Sequence, residues 1–136
     1  MIQNVKYAHA SNILTGRRVS LIIMNDLTCI QNTKLENTGF YYTMRLIQGK
    51  YKMFILYTLM HYKTVRFNEM KRYIGNISYK TLSATLKELE SDKLIHRKEY
   101  PQIPPKVEYS LSERGKSLIP ILDTMCEWGE IHKKDL

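Results

Sequence analysis

The sequence predicts an α+β fold that is mostly α. An apolar repeat of about 3.6 residues runs through residues 40–91, gives way to a repeat of two over residues 95–111, and then returns. The 136 residues are 43% hydrophobic and 10% aromatic, which suits one packed core and not a disordered chain.

Residues 1–37 show no sustained period and read as an extension. A short strand around Val19–Met24, packing on a partner subunit, and partial disorder all stay open for it. From Phe40 the spacing of Phe40, Met44 and Ile47 predicts a short helix, which Gly49 ends. Lys50 to Tyr62, with Phe54, Ile55, Leu56, Leu59 and Met60, then reads as a mostly buried helix. Phe67, Met70 and Ile74 form one stripe on a helix from Arg66 to Ile74. Gly75 and Asn76 stop it, because both tolerate a left-handed backbone. Ser78 is a good N-cap for the next helix, which reaches about Ser91. Its inner stripe is Leu82, Leu86 and Leu89, and its opposite face carries Lys80, Ser83, Ala84 and Lys87.

Ile95–Tyr100 and Val107–Leu111 are extended runs. In the second, Val107, Tyr109 and Leu111 alternate with Glu108 and Ser110, and Pro101, Pro104 and Pro105 stiffen the connection into a hairpin. Ser112 caps a last helix with the stripe Leu118, Ile121, Leu122, Met125 and Trp128, and Pro120 within it predicts a kink.

The formal charge is +8. Nucleic acid, an anionic membrane surface or simple solubility each account for such a total, but its placement is informative. Residues 39–90 hold nine basic against three acidic residues, a net +6, whereas residues 112–136 net −1. No apolar run approaches the ~20 residues of a spanning helix, and no signal-peptide core is evident, so a cytoplasmic protein is expected. Cys29 and Cys126 form neither a CxxC pair nor a disulfide framework. His9, His61, His96 and His132 lack metal-ligand spacing, and no carboxylate pair or nucleophile motif accompanies them. No metal, cofactor or enzymatic activity is predicted.

Helix, short turn, helix and then a two-stranded hairpin is the order of a winged helix-turn-helix. A helix entering the major groove needs short polar donors on its outer face and cations at its flanks. Ser78, Tyr79, Lys80, Thr81, Ser83 and Lys87 supply that mixture, and Arg97, Lys98 and Lys106 on the hairpin add wing contacts. The expected partner is double-stranded DNA. The alternative is a winged-helix interaction module whose basic face meets an acidic protein. Tyr41, Tyr42, Tyr51 and Tyr57 read as core or interface, or as the lining of a pocket for a small-molecule effector. Cys126 reads as packing, or as an oxidisable thiol near a subunit contact.

Several ordered motifs carry a family resemblance. They are Gly49-Lys50-Tyr51-Lys52, Phe67-Asn68-Glu69-Met70, Ile77-Ser78-Tyr79-Lys80-Thr81-Leu82, Leu86-Lys87-Glu88-Leu89-Glu90 and Pro105-Lys106-Val107-Glu108-Tyr109-Ser110-Leu111, with Trp128 beyond them. Over residues 38–134 the chain resembles the HxlR-type winged-helix regulators, which are related to the MarR group. The resemblance implies a dimeric transcription regulator, and with the motif order and the placement of charge the expectation is a homodimeric repressor on a near-palindromic operator. It implies N- and C-terminal dimerisation helices, with Phe40 and Met44 on the first and Leu118, Leu122, Met125 and Trp128 on the last. Three positions depart from the family pattern. Thr38 and Gly39 replace a Cys-Pro pair that serves some relatives as a sensor. Tyr51 stands where Trp is common, and Lys93 stands where Gly is usual, at a cost of about 1 kcal/mol if its backbone is left-handed.

Overall fold

The computed structural model describes residues 34–134. The chain divides into two units, Met1–Thr38 and Gly39–Leu136. Of the first, the described part is a single 3-10 turn, Leu35–Asn37, followed by Thr38, whose hydroxyl donates to the Leu35 carbonyl at 2.7 Å. The strand considered around Val19–Met24 and the position of Cys29 lie outside the described residues.

The second unit runs α1 (Gly39–Ile47), α2 (Lys52–Tyr62), β1 (Thr64–Arg66), α3 (Phe67–Ile74), α4 (Tyr79–Ser91), β2 (Ile95–Tyr100), β3 (Lys106–Leu111), α5 (Glu113–Lys116) and α6 (Ile119–His132). Its core is built where the apolar stripes converge. Ile55, Leu56 and Leu59 of α2 meet Met70 of α3, Leu82, Leu86 and Leu89 of α4, and Tyr109 and Leu111 of β3.

The sheet has three strands, in the order β1-β3-β2, all antiparallel, so the expected two-stranded wing gains a third member. Val65 is buried and pairs with Tyr109. Three residues are too few to show a period of two, and β1 is a strand only because β3 lies beside it. The C-terminal helix also differs from expectation. It is two helices, and Pro120 lies in the first turn of α6, where its missing N–H costs no hydrogen bond, so no mid-helix kink arises.

The helix-turn-helix connection is held from two sides. Gly75 takes φ 79°, and its N–H donates to the Lys71 carbonyl at 2.9 Å. The Tyr51 hydroxyl reaches across from the start of α2 to donate to the Asn76 carbonyl at 2.8 Å. Tyr51 thus keeps the core packing expected of an aromatic residue and adds a polar tie to the turn.

α4 ends in a Schellman motif. The Leu94 N–H donates to the Leu89 carbonyl at 2.9 Å and the Lys93 N–H to the Glu90 carbonyl at 2.9 Å. Lys93 occupies the left-handed position with φ 58°, so the cost of about 1 kcal/mol expected for a non-glycine residue applies. Immediately beyond, Ser112 ties this stop to the end of β3. Its N–H donates to the Leu94 carbonyl (3.0 Å) and its hydroxyl to the Lys93 carbonyl (2.7 Å), while its oxygen accepts from the Gly115 N–H (2.9 Å). The position of the wing relative to α4 is set at this junction.

Candidate nucleic-acid interface

α4 presents its N-terminal end and one long face to solvent. Ser78 caps it as expected, with its oxygen accepting from the Thr81 N–H at 3.0 Å. The Ser78 and Thr81 hydroxyls also lie 2.8 Å apart, so both help to hold the helix start. Tyr79 is exposed and its ring is fixed. It stacks nearly parallel on Phe67 of α3 at 6.0 Å, and the Lys71 ammonium sits 4.8 Å from its centroid. Lys80 and Lys87 are exposed, and neither forms a salt bridge among the described residues.

Ser83, Lys87 and Arg97 come together. With Phe67, Glu90 and Tyr109 they line a groove of about 460 Å³ between α4 and the inner face of the wing. Arg97 is paired there with Glu99 at 2.9 Å, and Glu99 first, then the Tyr109 hydroxyl, hold its guanidinium still more firmly protonated. Lys98 and Lys106 lie on the opposite face of the wing, because their positions alternate with Arg97 and Tyr109 in the strand register. Lys106 is not a free cation. Its ammonium is 2.6 Å from the Glu108 carboxylate. Among the described residues, Lys98 has only the Tyr100 ring beneath it, at 4.9 Å.

Two features had little signal in the sequence. Lys71 and Phe67 support Tyr79 from a neighbouring helix, and their distance along the chain hides the contact. Lys52 counts toward the basic excess of residues 39–90, yet its side chain is buried against Glu88 (3.2 Å) and Asp92 (3.6 Å). Its charge ties α2 to α4 and is not offered to a ligand.

The residues named for subunit contact divide in two. Phe40, Met125 and Trp128 are 68%, 54% and 64% exposed, and Met44 is also open. Leu122, by contrast, is 4% exposed and belongs to the core of its own chain, with Leu118 packed against that core. Leu122 is therefore corrected from an interface position to a core position. It is the one buried residue of α6, and it seats the helix. α1 buries no residue fully. Leu46 and Ile47 lean on the core, and Tyr42 bonds Arg114, which also donates to the Asp92 carbonyl at 3.0 Å. Of the other tyrosines considered for a pocket, Tyr41 and Tyr57 are exposed. The Tyr57 phenol pKa is raised, first by the Cys126 thiol beside it.

A capped, solvent-facing second helix beside a basic antiparallel wing is the geometry of a DNA-reading domain. The sequence profile of the HxlR-like helix-turn-helix proteins matches residues 46–135. The chain belongs to that family. Its relatives include an uncharacterised HTH-type transcriptional regulator of Halalkalibacterium halodurans, 58% identical over 95 residues, which are 70% of this chain and 84% of that protein. A second is the uncharacterised HTH-type transcriptional regulator YdzF of Bacillus subtilis, 58% identical over 94 residues, 69% of this chain and 86% of that one. Among solved structures, the redox regulator HypR in its reduced form superposes with a TM-score of 0.68 at 42% identity, covering 71% of this chain and 94% of that chain. This HxlR-like protein is thus a transcriptional regulator with a helix-turn-helix DNA-binding domain, in a family of regulators and not of enzymes. Among the described residues no helix is long and apolar enough to cross a membrane.

Proposed function

We propose that this HxlR-like chain is a homodimeric repressor that binds a near-palindromic operator. Residues 38–134 form the binding domain, and each subunit lays α4 in the major groove about one helical turn, roughly 34 Å, from its twin. The observation that carries this reading is the outer face of α4. Lys80 and Lys87 are exposed there and, among the described residues, unpaired, beside the rigidly stacked Tyr79 and with Ser83 in the adjoining groove. Short polar groups reach base edges and free ammonium groups neutralise phosphates. Arg97 and Lys98 add contacts from the two faces of the wing. The open apolar residues of α1 and α6 support pairing of two copies, and a two-subunit body straddling a promoter represses by occupying it.

Replacing both Lys80 and Lys87 by Ala tests the role of α4. Both side chains are exposed, so thermal stability should stay within about 0.5 kcal/mol of the parent. DNA affinity in a salt-titrated shift assay should fall at least tenfold, with a shallower dependence on salt. Unchanged affinity and slope would show that another surface meets the DNA.

A further inference from the structure

We propose that Glu108 is a specificity-determining residue that restrains the wing from binding DNA phosphates indiscriminately. The inference rests on reading α4 and the wing as the DNA-binding face. Glu108 lies on the central strand, where the register places Arg66 of β1 directly beside it on one side and Lys98 of β2 on the other. Lys106 is two residues away on the same strand and face. Two cations, Lys106 and Arg66, therefore meet one carboxylate on the outer surface of the sheet, with Lys98 beside it in register.

The pairing is tight where it matters. The Lys106 ammonium lies 2.6 Å from Glu108 Oε1, and Arg66 Nε lies 3.9 Å from it. The Glu108 side chain is only 19% exposed, and the Lys106 ammonium also rests 4.6 Å from the Tyr100 ring. Lys106 first, then a hydrogen bond from Tyr100 and the charge of Arg66, hold the Glu108 carboxyl below the usual carboxylate range, so the pair persists throughout the neutral range. A cation so held must leave its counter-charge before it can meet a phosphate, and it then gains little. Phosphate contacts carry affinity without sequence information, so a restrained wing lowers binding to every duplex alike and leaves discrimination to α4.

The test uses the full chain, a random-sequence duplex and salt from about 50 to about 200 mM. Glu108→Gln keeps the shape and the acceptor for Tyr100 but removes the charge. It should bind the random duplex about fivefold more tightly, and the slope of log affinity against log salt should steepen by roughly 0.9 per subunit. Glu113→Gln makes the same change of net charge at the start of α5, where the carboxylate pairs with Lys116 and not with Lys106 or Arg66, and should move neither quantity appreciably. Equal behaviour of the two variants would overturn the proposal. Should Glu108→Gln unfold, Lys106→Gln decides. A restrained Lys106 predicts nearly parental affinity and slope for that variant, and a fivefold loss with a shallower slope would overturn the proposal. If the Lys80/Lys87 double exchange leaves binding intact, the reading of α4 fails instead, and the two failures are distinct.

Discussion

Gly115→Ala is expected to destabilise the protein by about 3 kcal/mol, lowering the thermal midpoint by roughly 15 °C. A methyl group at Gly115 would sit 2.0 Å from the Leu94 carbonyl oxygen, 3.1 Å from its carbon and 3.2 Å from Leu111 Cδ2. The first two are backbone atoms and cannot rotate away. The Leu94 oxygen already accepts from the Ser112 N–H, and Ser112 in turn holds Lys93 and Gly115. Relieving the clash therefore shifts the stop of α4, the start of β2 and the cap of α5 together. Against a typical stability of about 5–15 kcal/mol this is a large fraction. Circular-dichroism melting checks it, and a loss under about 1 kcal/mol would mean that the junction yields easily.

Exchanging Met125 and Trp128 together for Glu is expected to leave the fold intact and to abolish the proposed dimer. Both side chains are more than half exposed in the single chain, so the substitutions remove little internal packing. In a twofold interface each charge is introduced twice, facing an apolar partner surface. A monomer engages one half-site and loses the effective concentration that its twin supplies, so operator affinity should fall at least a hundredfold. Light scattering should report the mass of one chain and melting should stay near the parental midpoint. A variant that remains dimeric would move the subunit contact away from α6.

Much of this was legible in the sequence, because the strongest signals are local. The stripe Leu82, Leu86 and Leu89, the Ser78 cap and the Gly75 stop each lie within a few residues of what they specify, and all three appear in the fold. The alternation from Val107 to Leu111 marked β3 for the same reason. The left-handed backbone considered at Lys93 is likewise present. What was not legible depends on distant partners. β1 exists through its pairing with β3, Gly115 is constrained by Leu94, and Leu122 is buried because α6 folds back onto the core. Charge is the clearest case. Summing residues shows where basic side chains lie along the chain, yet only the fold shows that Lys52 and Lys106 are paired and that Lys80 and Lys87 are open.

The most direct test of the central claim is selection of bound sequences from a random duplex pool by the full chain. Two copies of α4 reading adjacent major grooves predict enrichment of an inverted repeat whose half-sites are centred about 10 base pairs apart. Recovery of no common sequence, or of a single unrepeated half-site, would contradict the account of a dimer that reads its operator through α4.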